Sequence, residues 1–550
     1  MMKIGLLSNT TSEILAQRLS RVGHVWCPAG FNAWQASVLD GESALYREHP
    51  DIVLLMLDGH ALLAPCATCE EGVGLLTQAV EAVRLLVERL PCALVLVSTL
   101  DIPQERIQPL AARRFERVWE YTWWSAVSGI IEQSAHVFFL DLKGIIERLG
   151  RANAYSPKMW YAGGIPYKMA VYEALEQEFL TIIQAWQGKR AKCLAVDFDE
   201  TLWGGVAGED GVEGIVLGDQ QTGAAYRDFQ LRLREIKSLG AVLVGVSKNN
   251  VADVEAIFNT HEQMVLHKED FADWEVNWQE KPINLRAIAA RLNIGMEAIV
   301  FIDDNPAEQV AMRKLEPDVI VEDFPHDRAL LSSWAQQVYR KYFFCLRATQ
   351  EDQQKTALYQ ANKARDGLRQ QAGTVRDYLR NLAIHVRFNR SRACEIPRIA
   401  QLTQKTNQFN VTTKRYTEGD LQGMLKAPEQ WLIYSIFASD RFGANGLVGV
   451  VMVCRNGMDA EIDTFLLSCR VMGRTIEETV LVLLENELRN SGVVEVRARY
   501  VPTSRNAPCA RFYDDNGYAL RQTEADGTRV YCLRLEGAPR VTKNVITVEV

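Results

Sequence analysis

Short apolar runs alternate with helical stretches over the first half of this 550-residue chain, and that alternation leaves few folds open. Ile4–Leu7, Ile52–Met56, Ala93–Ser98 and Val137–Leu140 read as strands buried on both faces, with helices between them. Such strands belong to a parallel sheet covered by helices. A helix predicted from about Tyr167 to Trp186 stops at Gly188, and a second α/β unit begins at Lys192. Its strands are Cys193–Val196, Ala241–Val246 and Ala298–Ile302, with helices near Ala224–Leu239, Val251–Phe258 and Pro282–Leu292. A polar cluster follows each strand within a few residues. Open parallel sheets bind their ligands at those carboxyl ends.

Residues 327–380 are charged, poor in glycine and helical in period, which predicts a helical connector. Beyond it lie strands Ile384–Phe388, Trp431–Ala438, Gly446–Val453, Glu461–Leu467 and Val494–Val501, with a helix Ile476–Arg489 before the last. The expected organisation is therefore an α/β domain over 1–188, a second over 189–326, the connector over 327–380, an α+β domain over 381–538 and a tail over 539–550. A chain this long needs several cores.

A net charge of −8 and an isoelectric point near 5.7 offer no electrostatic footprint for nucleic acid. No apolar run reaches bilayer length, and the opening residues Met1–Ser8 lack the pattern of a cleaved leader. No membrane partner and a cytoplasmic location are expected. Eleven scattered cysteines do not suggest a disulfide framework, and Cys66-Ala-Thr-Cys69 has no second pair to complete a zinc site.

Strand residues Leu194–Val196 lead into Asp197-Phe198-Asp199-Glu200-Thr201. Alternate aspartates at the end of a buried strand are costly unless a cation offsets them, and Mg²⁺ takes oxygen ligands of this kind. One carboxylate can attack phosphorus while the other manages the proton. Three further fragments follow in order. Ser247, in Val246-Ser247-Lys248-Asn249-Asn250, brings a hydroxyl for a phosphoryl oxygen; Lys281 brings a cation; and Phe301-Ile302-Asp303-Asp304-Asn305 brings two more carboxylates. A DxD after a strand is often only a turn, so the ordered set carries the inference. It resembles the haloacid dehalogenase superfamily of phosphohydrolases. The resemblance implies Asp197 as nucleophile and Asp199 as general acid/base, with Ser247 and Lys281 holding the phosphoryl group. Mg²⁺ would sit on Asp197, the backbone of Asp199, and Asp303, with Asp304 as an outer partner. The chain from Trp203 to Gly223 allows a small flap but no cap domain, so an open site is expected.

Thr201-Leu202-Trp203-Gly204-Gly205-Val206, Ser247–Asn250, Phe301–Glu308 and Gln401–Asn410 are more particular, and they resemble the FkbH-like family. That likeness implies transfer of a glyceryl unit from 1,3-bisphosphoglycerate to the phosphopantetheine thiol of an acyl carrier protein, through an enzyme thioester, with loss of the C3 phosphate, for polyketide-type pathways. The N-terminal unit is similar to the SGNH-hydrolase-related domain of longer members. Its first strand ends in Leu7-Ser8-Asn9-Thr10 without the Gly-Asp-Ser nucleophile or a closing Asp-x-x-His, so a docking role is expected and hydrolysis by Ser8 is the lesser alternative.

Strand Glu461–Leu467 runs into Ser468-Cys469-Arg470-Val471-Met472-Gly473-Arg474-Thr475 and then a helix, the make-up of an anion cradle. The loop resembles the pyrophosphate loop of GNAT-type acyltransferases at Arg470 and Gly473, with Thr475 in place of a small residue, and Asn506 falls in that fold's ending. A phosphopantetheine arm is the expected occupant. Arg470 and the helix dipole would favour the Cys469 thiolate, the first choice for glyceryl acceptor against the plainer reading of a buried small residue. Cys193 is second choice, and His385 is read as structural. Asn407 and Asn410 are candidates for substrate hydroxyls or carbonyls, or else for helix capping. The alternatives are a small-molecule phosphatase fused to a coenzyme A-dependent acyltransferase, and a non-catalytic biosynthetic scaffold.

Overall fold

The computed structural model describes residues 2–103, 114–353, 355–541 and 545–549, without the side chains of residues 350, 351, 366, 370 and 469. The chain forms two compact units, Met1–Gln187 and Gly188–Val550. In the first, strands β1 (Lys3–Ser8), β2 (His24–Trp26), β3 (Ile52–Met56), β4 (Leu94–Ser98) and β5 (Val137–Leu140) make one sheet in the order β2-β1-β3-β4-β5, parallel throughout. Strand β2 is three residues long with no buried position, too little pattern to be read from sequence.

The second unit holds two sheets. Strands β6 (Cys193–Val196), β7 (Val242–Ser247), β8 (Phe271–Val276), β9 (Ile299–Ile302) and β10 (Ile320–Val321) pair in the order β10-β9-β6-β7-β8, again all parallel. Strand β6 lies at the centre and is apolar on both faces. Leu194 and Val196 enter one apolar cluster, Cys193 and Ala195 the other, as the two-residue period of a strand requires.

The third sheet contains β11 (His385–Arg390), β12 (Phe409–Asn410), β13 (Trp431–Asp440), β14 (Gly443–Asn456), β15 (Asp459–Leu467), β16 (Glu495–Tyr500), β17 (Ala519–Thr523), β18 (Arg529–Arg534) and β19 (Thr547–Glu549). Its order is β17-β18-β16-β15-β14-β13-β11-β19, with β12 on β15. The pairs are antiparallel except β11·β19 and β15·β16, and the latter two strands are joined through the helix Ile476–Asn490. They pair only from Asp459 to Ile462 and from Glu495 to Ala498, then part.

The stretch expected to be a connector is divided between cores. Leu331, Ala335, Val338 and Phe343 share an apolar cluster with Val196, Phe198 and Phe229, so this part completes the middle sheet's packing. Helix Lys355–Gln371 then runs between the sheets of this unit. Lys363 Nζ donates to Asp273 Oδ1 on β8 at 2.6 Å. Buried Arg365 clasps Asp440 at the end of β13, its Nε donating to Oδ2 at 2.7 Å and its Nη2 to Oδ1 at 2.9 Å. Among the described residues no helix is long and apolar enough to cross a membrane.

Candidate active site

Three adjacent strands, β9, β6 and β7, deliver the site. Val196 pairs with both Ile302 and Gly245, so Asp197 and Asp303 leave the sheet at the same level on neighbouring strands, and Ser247 ends the strand on the other side. Phe198 anchors the loop between the two aspartates, its ring packed against Trp203, Phe258, Phe271 and Trp274. A Cβ on Gly245 would stand 2.3 Å from Phe198 Cζ, so glycine at that strand position makes room for the anchor.

Lys281 opens the helix Lys281–Leu292 and is buried between the carboxylates, its Nζ 2.6 Å from Asp303 Oδ2 and 2.9 Å from Asp197 Oδ1. Burial opposes the lysine charge, but Asp197 and Asp303 outweigh it and hold its pKa above the ordinary value. Asp303 shifts upward as well: burial raises it first, Asp197 next, and Lys281 pulls the other way. Its Oδ1 accepts from the Asn305 amide at 2.9 Å.

One oxygen each of Asp197, Asp303 and Asp304 lies within 4.8 Å of the others. Ligands of an octahedral Mg²⁺ stand about 3 Å apart when adjacent and about 4 Å when opposite, given metal–oxygen distances of ~2.0–2.1 Å. Asp197 Oδ1, attracted to Lys281, has no well-aligned hydrogen-bond donor among the described residues, so a buried acceptor is left for a cation. The donor set therefore fits magnesium. Asp304, expected only as an outer partner, joins the group directly. It is the more exposed of the two carboxylates, and Thr201 Oγ1 donates to its Oδ1 at 3.3 Å while accepting from its amide at 3.1 Å.

The Asp199 side chain stands outside that carboxylate group and faces the flap. Its Oδ1 accepts from Trp203 Nε1 at 3.0 Å and from the Ala207 amide at 3.1 Å; its Oδ2 accepts from Asn249 Nδ2 at 2.7 Å. Burial nevertheless raises its pKa, helped by Asp197 and opposed by those donors. A carboxyl whose pKa burial raises is better suited to protonating a leaving oxygen than an ordinary one. The flap itself is more than a loop. Gly204 and Val216 exchange both backbone hydrogen bonds, at 3.1 and 2.8 Å, and the segment between them carries a short helix, Ala207–Gly214. Ser247 is buried at the end of β7, beside Asn249.

Two contributors were not assigned a role from sequence. Asn249 belongs to the word Ser247–Asn250 that carries the family resemblance, but its burial and its bond to Asp199 appear only in the fold. Arg328 lies in the stretch read as connector, yet its Nη2 stands 3.8 Å from both Glu200 Oε2 and Asp304 Oδ2.

Several solved structures are similar to parts of this chain. The N-terminal part of protein BF1531 from Bacteroides fragilis, described as containing a phosphatase domain complexed with Mg, matches at 27% identity and a TM-score of 0.56, over 62% of this chain and 93% of that one. The likeness is to a magnesium-bound phosphatase domain. Two acetyltransferases also align, each over little of this chain. They are the ribosomal-protein-S18-alanine N-acetyltransferase of Escherichia coli (13% identity, TM-score 0.23, 28% of this chain, 96% of that one) and PaiA of Thermoplasma acidophilum in complex with coenzyme A (15%, 0.22, 27% and 98%). No protein-family model matches the chain, and no curated protein does.

In the C-terminal sheet the structure redistributes the expected roles. Where β15 and β16 part, residues 409–412 fill the gap. Phe409 and Asn410 pair with Leu467 and Leu466, the Val411 amide donates to Phe465 O at 3.1 Å, and Val501 N donates to Val411 O at 2.8 Å. Asn506 locks this wedge. Its Nδ2 donates to Asn410 O and Val501 O at 3.1 and 2.9 Å, and its Oδ1 accepts from Thr503 N and the Tyr500 hydroxyl at 2.8 and 3.1 Å. Asn506 is fully buried and its side-chain amide is saturated by these contacts. Asn410 is likewise buried, donating to Thr406 O at 3.3 Å and accepting from Thr413 N at 2.8 Å. Asn407 Oδ1 accepts from Arg415 Nη2 at 2.5 Å.

The loop before helix Ile476–Asn490 has Gly473 at φ +71° and Thr475 at φ +60°, a left-handed conformation uncommon for threonine. Arg470 Nε donates to Ser468 Oγ at 3.2 Å. Glu477, in the first turn of that helix, is pushed up to about 7 by burial and then by Glu478, so its charged form is disfavoured there. The Cys469 side chain lies outside the described residues. Cys193 sits at the amino end of β6, away from the site, with burial raising its thiol pKa, which removes it as an acceptor. His385 is exposed on β11. In the first unit, Ser8 Oγ meets Thr10 at 3.1 Å and makes no hydrogen bond to a histidine among the described residues. Cys66 and Cys69 are buried and form no disulfide among the described residues.

Proposed function

We propose that this chain joins Mg²⁺-dependent phosphate-ester hydrolysis to acyl transfer, moving a glyceryl group from 1,3-bisphosphoglycerate to an acyl carrier protein. The observation that carries the hydrolytic half is the set of Asp197, Asp303 and Asp304 around buried Lys281 at the ends of adjacent parallel strands. An Asp197 oxygen attacks phosphorus at C3, the ester oxygen leaves with a proton from Asp199, and Asp199 then takes a proton from the water that hydrolyses the aspartyl phosphate. Lys281 offsets the charge of the carboxylates and the incoming phosphoryl group. Bound Mg²⁺ would add charge neutralisation at the phosphoryl oxygens.

For the acyl half, the Cys469 thiolate displaces the carboxyl phosphate of the mixed anhydride, giving a thioester and inorganic phosphate. The carrier's phosphopantetheine thiol then takes the acyl group and frees Cys469. Support comes from the FkbH-like wording of the motifs and from the crossover between β15 and β16 at whose start residue 469 lies.

Intact-mass analysis of the full chain with Mg²⁺, 1,3-bisphosphoglycerate and a holo-carrier tests both halves. A glyceryl adduct is expected on the carrier, and Asp197→Asn should leave the C3 phosphate on the substrate. Undiminished phosphate release by Asp197→Asn would sink the phosphatase reading. Undiminished loading by Cys469→Ala would remove Cys469 from the path.

A further inference from the structure

Around the carboxylates of the middle sheet, burial falls off from a closed floor to an open rim, and two cations stand at opposite ends of that gradient. On the floor, the side chain of Lys281 is 5% exposed and that of Asp303 0%. On the rim, Arg328 is 23% exposed, Asp304 21% and Glu200 44%. Lys281 Nζ already serves Asp197 and Asp303 at close range. Arg328 has a donor to spare.

Three contacts fix the Arg328 guanidinium. Its Nε donates to the Tyr226 hydroxyl at 3.0 Å and its Nη1 to Pro325 O at 2.8 Å. Its Cζ lies 5.0 Å from the centre of the Phe324 ring, which packs edge-on against Phe229 and Trp334 in the middle sheet's apolar cluster. Nη2 is left over. Glu200 Oε2 and Asp304 Oδ2 are each 3.8 Å away, too far for a hydrogen bond, and Nη2 makes none to any described residue.

Both carboxylates are served from elsewhere. Glu200 Oε1 accepts from the Gly205 amide at 2.8 Å and its Oε2 from the Tyr226 hydroxyl at 3.2 Å. Asp304 Oδ1 accepts from Thr201 Oγ1 at 3.3 Å, and Asp304 belongs to the group that suits Mg²⁺, where a bound cation would take up its charge. An arginine placed only to neutralise a carboxylate frequently makes two short parallel hydrogen bonds to it. Arg328 makes neither. Its ring backing and two anchors instead hold a rigid, permanently charged donor at the edge of the site, the arrangement that suits recognition of an oxyanion.

We propose that Arg328 selects the substrate, its Nη2 binding a second anionic group on a phosphate ester whose phosphoryl group lies at Asp197 and Lys281. This rests on the phosphatase reading and narrows its substrates to esters with a carboxylate or acyl phosphate a few bonds from the scissile oxygen. The second anion is chosen over the phosphoryl group because Lys281 and Ser247 already line the floor, whereas Arg328 stands on the exposed side. Esters with an uncharged remainder leave Nη2 unfilled and bind more weakly.

Two non-hydrolysable probes that differ only in that anion make the test: 4-phosphonobutyrate and butylphosphonate, titrated calorimetrically into the full chain with Mg²⁺. Wild type should bind 4-phosphonobutyrate at least about tenfold more tightly, about the factor that one hydrogen bond to a charged group supplies. Arg328→Gln should reduce that preference to about twofold or less. Tyr226→Phe keeps the buried ring but removes the hydroxyl that anchors Nε, and should cut the preference by at least about threefold, which keeps the test decisive if the arginine variant fails to fold. A preference unchanged in the folded variants refutes the proposal. So does an equal loss of affinity for both probes, which would put Arg328 at the phosphoryl group or in the fold alone. Mg²⁺-dependent hydrolysis of p-nitrophenyl phosphate by wild type reports separately on the phosphatase reading. Hydrolysis with an unchanged preference sinks only the role of Arg328, whereas no hydrolysis sinks the reading beneath it.

Discussion

Replacing Lys281 with methionine keeps an unbranched apolar stem of similar length but removes the charge between Asp197 and Asp303. All three side chains are at most 7% exposed, and the Nζ contacts are 2.9 and 2.6 Å. Breaking a buried pair by removing one partner costs about 3–5 kcal/mol, because the remaining charge is left uncompensated. For a domain of this size each kcal/mol lowers Tm by about 2–4 °C, so a drop of at least about 6 °C is expected in EDTA. Magnesium at about a hundredfold over its Kd should return about 2.7 kcal/mol, offsetting much of the loss. The deficit also depends on pH. Asp303 has a folded pKa raised above its ordinary value, so its contribution to stability is fully present at acid pH and is lost as pH rises through the raised pKa. Lys281 is one of the groups holding that pKa down, so without it the loss deepens, and the gap between variant and wild type should widen from about pH 5 to about pH 8. Scanning calorimetry of the full chain, with and without Mg²⁺ at several pH values, measures all of this. Equal transition temperatures for variant and wild type in EDTA at the alkaline end would refute the picture of a carboxylate pair neutralised by one buried lysine.

Asn249→Ala removes a donor that lowers the Asp199 pKa, so the acid limb of the Mg²⁺-dependent phosphatase pH profile should move to higher pH, with kcat falling by about tenfold or more; an unmoved profile would count against Asp199 as the proton carrier. Arg365→Met leaves Asp440 buried with only Arg474 Nη1, 3.2 Å away, as an ion-pair partner, and denaturant unfolding should show a loss of about 3–5 kcal/mol in the second unit. Asn506→Ala strands the Asn410 and Val501 carbonyls and the Thr503 amide, for a cost of about 1–3 kcal/mol per unsatisfied group, and hydrogen exchange at Val411 and Val501 should accelerate.

The strands that carry the chemistry were readable because a fully buried parallel strand is a local pattern: an apolar run, a sharp polar end, and a helix behind it. Cys193–Val196 and Ile52–Met56 agree with the sequence reading to the residue, and Lys281 Nζ lies between Asp197 and Asp303 at the strand ends. Short or exposed strands such as β2, β12 and β17 carry no such pattern, and pairing with a distant partner is what makes them strands.

Sequence alone determined the two parallel α/β folds and the carboxylate rim of the middle sheet, because burial on both faces and a charged strand end are written within a few consecutive residues. Tertiary structure alone decided that Asp304 joins the carboxylate group, that Arg328 borders the site, and that Asn410 and Asn506 are tied together in a wedge between strands. Which polar group meets which depends on how separate elements dock, and no window of adjacent residues contains that information.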